Sequence, residues 1–262
     1  MTESVANVAS DDELKNLVLI HGWGFGGRIW SDFIPYIKDQ WRITNINLPG
    51  YGVSEKIAHV DLDETNIDQI VNLISADIPE KAIILAWSLG GLVATRFACI
   101  RKDITALILV ASSPCFLNKP GWQHGVDPVA LDQLARSLSE NKTKALQQFS
   151  GLVAMGDEHP RETISKLSEH VNDNAPEIEK LKAGLEILRQ EDLRSVVTKL
   201  CCPIGMIFGE KDMLVKCSTG KAMQALRADI NTIEIADTGH APFLTRPQET
   251  ADAITKLTDN FF

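Results

Sequence analysis

Three residues spread along a chain of 262 have the types that acyl transfer needs: a hydroxyl, an imidazole and a carboxylate. Ser88 stands in "LAWSLGGLV", at the junction of two apolar runs. Asp212 follows the apolar run "PIGMIFG", in "EKDML", and His240 follows "NTIEIAD", in "TGHAPF". A serine hydroxyl is a weak nucleophile until a base takes its proton, and an imidazole base needs an acid to hold its tautomer. Ser, Asp and His in that chain order, each behind a strand, satisfy the requirement. Glu210 is a rival acid, but it directly follows the strand's glycine and is less well aimed than Asp212. His59, His124, His159 and His170 fall in loops or helices and read as surface residues.

The local pattern around Ser88 is A-x-S-x-G, one methyl group away from the G-x-S-x-G nucleophile elbow. A strand that turns at once into a helix needs small residues where backbones approach, and Ala86, Gly90 and Gly91 supply them. The helix N-terminus leaves free N–H groups beside the serine, of which that of Leu89 is suited to an oxyanion. A second donor is expected from "HGWGFGG" after the first strand, with the backbone N–H of Trp23 as candidate. Each piece has an ordinary counterpart: a serine there also serves as a helix N-cap, and a glycine-rich segment also makes a plain turn. The glycines do not form a phosphate loop, because no G-x-x-x-x-G-K-[ST] follows.

The elements that must hold these residues alternate. Strands are expected at 16–20, 42–48, 81–87, 104–112, 203–210 and 231–237, each a short apolar run. Between them, helical spacing is seen at 64–78, from 89 to about 101, in "TGKAMQALRA" and in a closing segment at 247–262. Buried strands alternating with helices make a mostly parallel sheet covered on both faces, an α/β fold whose ligands bind beyond the strands' carboxyl ends. Residues 113–194 break the alternation with consecutive helices, the first opening on Asp127–Pro128 as N-cap and first turn. The expected organisation is a core of residues 1–112 and 195–262 with a helical lid at 113–194, the alternative being an ordinary helical subdomain.

Composition narrows the partners. A formal net charge of −9 leaves no basic stripe for nucleic acid. No apolar run approaches the ~18 residues of a membrane span. The start, "MTESVANVASDDELKN", is polar and acidic, unlike a signal peptide. Five cysteines, without metal-ligand spacing, read as reduced thiols of a cytoplasmic protein. No metal or organic cofactor is required.

From about residue 17 to the C-terminus the chain resembles the α/β-hydrolase superfamily. Within it, "LVLIHGWG", "LPGYGVS", "AWSLGGLVA", "VASSPCF", "GLEILRQEDLR" and "HAPF" resemble the carboxylesterases of biotin synthesis. "SSPCF", "GLEIL" and the tryptophan before the nucleophile are the specific pieces. The resemblance implies hydrolysis of the methyl ester of pimeloyl-acyl carrier protein by a monomeric, cofactor-free serine enzyme. It places Phe149 against the substrate chain, with Ser150, Gly151, Leu152 and Val153 continuing the substrate-binding stretch. It matches Lys144 and Arg161 to basic lid positions that meet the acidic carrier, whereas Gln148 and Ser165 stand where further arginines are expected. Lys144 and Arg161 also read as solvated charges, and Phe149 as packing between lid helices. Ala86 replaces the usual first glycine of the elbow, from which slight strain is expected. Two other readings remain at this level: a broad short-chain esterase or C–C bond hydrolase, and a non-catalytic small-molecule receptor. Dehalogenases and epoxide hydrolases are disfavoured, since their nucleophile is an aspartate.

Overall fold

Each expected strand is present, and the three at the sheet centre are buried at every position because helices cover both faces. In the computed structural model, which describes residues 14–51, 66–172 and 176–262, the strands are β1 (Lys15–Ile20), β2 (Trp41–Ile46), β3 (Ile83–Trp87), β4 (Ala106–Val110), β5 (Ile204–Gly209) and β6 (Asn231–Ile235). They form one sheet in the order β2-β1-β3-β4-β5-β6, and every neighbouring pair is parallel. β6, at the edge, keeps Asn231 and Glu234 exposed and buries Ile235. His59, the end of "LPGYGVS", the start of the helix expected at 64–78 and the polar N-terminal segment lie outside the described residues.

The helices follow their capping residues. α1 (Ile67–Ile74) starts at Asn66, whose side-chain oxygen accepts from the Gln69 N–H at 3.0 Å, and it buries Ile67, Ile70, Val71 and Ile74. It ends earlier than the expected 78, tightening into a 3₁₀ turn at Ser75–Asp77. α2 (Leu89–Ile100) leaves β3 directly. Between β4 and β5 come α3 (Pro128–Glu140), α4 (Lys142–Val153), α5 (Pro160–Asn172) and α6 (Ile178–Gln190), then the short α7 (Arg194–Val197). Asp127 caps α3 as expected, accepting from the Val129 N–H at 2.8 Å, with Pro128 at the first position. α8 (Ser218–Leu226) joins β5 to β6, and α9 (Pro242–Thr245) and α10 (Pro247–Asp259) close the chain.

The chain runs from β1 outward to β2 and returns on the other side of β1 as β3. The loops after β1 and β3 therefore part at a reversal in strand order, where an open parallel sheet forms its ligand crevice. Trp23 lies in the first of these loops and Ser88 in the second. All five cysteines are free thiols.

Candidate active site

Ser88 occupies the one residue between β3 and α2, with φ 53° and ψ −120°. That conformation is strained for a residue with a Cβ, and the surroundings enforce it. Its N–H donates to the Val110 carbonyl at 3.0 Å, and its carbonyl accepts from the Ser112 hydroxyl at 2.8 Å. Gly90 lets α2 pack against the end of β1, where a Cβ would stand 2.5 Å from the His21 carbonyl oxygen and 2.8 Å from that of Ile20. The strain expected at Ala86 is absent. Ala86 lies in regular register, opposite Ile20 and Leu109, and its φ is not positive; the sharp turn is made wholly at Ser88. Ser88 holds the N-cap position of α2, its carbonyl accepting from the Gly91 N–H at 2.9 Å, but its side chain makes no capping bond.

The hydroxyl turns instead to His240. Ser88 Oγ lies 3.0 Å from His240 Nε2, and His240 Nδ1 lies 2.8 Å from Asp212 Oδ2. All three residues are buried. Asp212 is aimed by its own turn, its Oδ1 accepting from the N–H groups of Leu214 at 2.7 Å and Val215 at 3.0 Å. With the aspartate accepting at Nδ1–H, Nε2 is left to take the serine proton. Glu210 is exposed and accepts from the Asp237 N–H, so it plays no part in this series.

The second strand-end loop lies against the first. A Cβ on Gly22 would sit 3.2 Å from Ser88 Cβ and 2.9 Å from the Trp87 ring, so the backbone entering Trp23 passes beside the serine. Leu89, the other candidate donor, is the first residue of α2. His21 was not among the residues singled out from the sequence, yet it braces this loop. Its Nδ1 donates to the Gly22 carbonyl at 2.9 Å, and its Nε2 accepts from the Leu48 N–H at 2.9 Å. Complete burial lowers its pKa to about 4.

A cavity of about 80 Å³ opens onto Ser88 and His240. A water needs ~10–15 Å³ of such space, so a chain several atoms long fits. Apart from Ser88 and His240 its lining is apolar, with Trp23 from the loop after β1, Phe116 from the segment after β4, Phe149, Leu152 and Leu188 from α4 and α6, and Leu214 beyond β5. Phe149 packs edge-on to Trp23, with ring centroids 4.8 Å apart. The Trp23 indole N–H donates to the Leu181 carbonyl of α6 at 2.8 Å. Gly184 permits that docking, since a Cβ there would lie 2.7 Å from both Trp23 Cδ1 and the Tyr51 hydroxyl.

Helical phase divides the expected stretch 149–153. Phe149 and Leu152, three apart, line the cavity. Ser150, Gly151 and Val153 do not. The Ser150 hydroxyl donates back to the Leu146 carbonyl at 3.0 Å, Gly151 faces open space, and Val153 is buried with its carbonyl accepting from the His240 N–H at 3.1 Å. Lys144 and Arg161 are exposed, each in the first turn of its helix, and neither lines the cavity. Gln148 accepts from the Ser137 hydroxyl, and Ser165 is exposed. His159 is exposed as expected, and His124 is half-buried against Trp122. His170 departs from its surface reading: its side chain is 10 % exposed, because α5 packs over the segment holding Asp32.

Against known proteins, residues 17–253 match the alpha/beta hydrolase family. The pimeloyl-[acyl-carrier protein] methyl ester esterase of Proteus mirabilis is 36 % identical over 244 residues, covering 92 % of this chain and 91 % of that protein. The enzyme of the same name from Aliivibrio fischeri is 34 % identical, covering 92 % of each. Among solved structures, an esterase from Exiguobacterium antarcticum superposes with a TM-score of 0.81 at 18 % identity, covering 94 % of this chain and 92 % of its own.

Proposed function

The chain belongs to the alpha/beta hydrolase family, and on that premise we propose that it is a serine carboxylesterase acting on the methyl ester of pimeloyl-acyl carrier protein in biotin synthesis. The observation that carries this reading is the Ser88–His240–Asp212 series at the floor of an apolar cavity, in a chain so similar to esterases of that name.

In this reading His240 Nε2 takes the proton of Ser88 as the oxygen attacks the ester carbonyl. Asp212 keeps Nδ1 protonated and stabilises the imidazolium. The N–H groups of Trp23 and Leu89 receive the oxyanion. The imidazolium returns its proton to the departing methoxide, methanol leaves, and a water activated by His240 hydrolyses the acyl-enzyme. The released acid ionises as it leaves the apolar lining, which offers a carboxylate no cation. The methylene chain lies along Phe149 and Leu152, and the thioester stays outside, spared by position. Residues 113–194 act as the lid, and Lys144 and Arg161 are the candidates for meeting the carrier. The enzyme is read as a cytoplasmic monomer; no helix among the described residues is long and apolar enough to cross a membrane. Small apolar esters also suit such a lining, which makes p-nitrophenyl butyrate a convenient probe.

The test is methanol release from pimeloyl-carrier methyl ester by the purified protein, together with rescue of a biotin-requiring strain that lacks its pimeloyl esterase. Ser88→Ala and His240→Ala should each lower kcat by about 10⁴–10⁶ while the protein stays folded. A variant that kept a tenth of the activity would remove its residue from the mechanism.

A further inference from the structure

Beside the loop that carries His240 lies a second buried carboxylate that the reaction above does not use. Asp157 sits between α4 and α5 and is only 7 % exposed. Its Oδ1 accepts from the Gly239 N–H at 2.6 Å, next in sequence to the base. Its Oδ2 is buried and makes no hydrogen bond of good distance and angle; the Thr163 hydroxyl beside it, which also reaches the His159 carbonyl at 3.4 Å, is the hydrogen-bonding group that favours its ionised form. Burial pushes the Asp157 carboxyl above the usual range; the Gly239 N–H and the Thr163 hydroxyl oppose this, and of the nearby charged groups Asp212 adds to it while His240 opposes it.

An acid left in such a place is costly, and an aspartate that only filled space would be an odd choice. What it does is grip one loop. The His240 N–H is held by the Val153 carbonyl at 3.1 Å, and the Glu158 N–H donates to the Asp237 carbonyl at 3.2 Å. Gly239 is wrapped so closely that a Cβ would lie 2.6 Å from the Met155 carbonyl oxygen and 2.9 Å from that of Val153. Residues 153–158 thus clasp residues 237–240, and Asp157 is the only side chain in the clasp that bonds the backbone next to the base.

We propose that Asp157 is a positioning residue for His240: through Gly239 it sets the base against Ser88 and makes the base's alignment depend on how the α4–α5 segment is seated. This rests on the serine-esterase reading, so Ser88→Ala is the control. Full activity in Ser88→Ala would sink that reading, whereas an inactive Ser88→Ala beside a fully active Asp157→Ala would sink only this inference.

The experiment compares Asp157→Ala and Asp157→Asn on p-nitrophenyl butyrate, with fluorophosphonate labelling of Ser88 and thermal melting. A base displaced by a fraction of an ångström costs rate, so Asp157→Ala should lose about 10–100-fold in kcat and in labelling rate, with KM within about twofold. It also removes a desolvated acid, so its melting temperature should stay within about 4 °C of the parent. Asparagine offers the same acceptor oxygen to Gly239 and turns its amide N–H₂ toward Thr163, so Asp157→Asn should recover most of the lost kcat. The proposal is overturned if Asp157→Ala keeps kcat within twofold, if it fails to fold, or if Asp157→Asn falls as far as Asp157→Ala.

Discussion

The indole N–H of Trp87 donates to the main-chain carbonyl of His240 at 2.8 Å, and the two rings lie 5.7 Å apart. The residue before the proposed nucleophile thus holds the proposed base from behind, across 153 positions of sequence. Trp87 ends β3, is fully buried, and packs edge-on to Phe243 of α9, with centroids 5.2 Å apart. Trp87→Phe keeps an aromatic ring but strands the His240 carbonyl. A buried acceptor left unpaired costs about 1–3 kcal/mol. The expected result is a lower melting temperature together with a loss of about 3–10-fold in kcat for p-nitrophenyl butyrate. If kcat falls no further than the folded fraction explains, the bond serves stability alone.

Phe149 touches both Trp23 and the cavity. Phe149→Ala widens the acyl path and removes a ring that a methylene chain would pack on. KM for a pimeloyl-length methyl ester should rise about tenfold, in keeping with ~1.4 kcal/mol of lost contact, while KM for an acetate ester moves little. Steady-state kinetics on both esters decide it, and equal increases would mean that α4 itself had been loosened.

His21 supplies a pH dependence of stability. Its folded pKa, about 4, lies below the ordinary 6.5 because burial penalises the imidazolium. Above pH 6.5 the ring is neutral in both states and the fold loses nothing. As pH falls from about 6.5 toward 4 the unfolded chain binds a proton that the folded one refuses, so stability declines, and below about 4 this contribution levels off. The full loss from this one residue is about 3 kcal/mol. Urea midpoints at pH 7, 5.5 and 4.5 should fall more steeply in the parent than in His21→Gln, which cannot titrate. Parallel curves would show that other groups carry the acid sensitivity.

In the proposed reaction carrier docking has to be local, because the chain carries a formal net charge of −9 and acyl carrier proteins are acidic too. Lys144 and Arg161 are exposed and have no carboxylate partner among the described residues. The double change Lys144→Glu and Arg161→Glu should raise KM for pimeloyl-carrier methyl ester several-fold, more at low salt than at high, and leave p-nitrophenyl butyrate untouched. An unchanged carrier KM would place docking elsewhere on the surface.

The elements and the three proposed catalytic positions could be read from the sequence for a common physical reason. A strand buried on both faces must be a short apolar run, and in a parallel sheet the polar residue that ends such a run stands at the ligand edge. Ser88 and Asp212 each follow a run of that kind, and His240 follows the alternating run of the edge strand β6, so local composition was enough to bring them to one edge. Asp127 as cap of α3 was legible on the same terms, since capping is settled within a few residues. Contacts between distant surfaces were not. That Ser150, Gly151 and Val153 turn away from the cavity while Phe149 and Leu152 face it depends on the rotation of α4 against Trp23 and α6. That the His170 side chain is mostly covered depends on what α5 lies upon, and that Ala86 is unstrained depends on the turn being completed two residues later. His21, Trp87 and Asp157 brace the site through main-chain atoms of Leu48, His240 and Gly239. A backbone N–H or carbonyl is present at nearly every position and leaves no mark in the sequence, so only the packed chain determines which of them a buried side chain meets.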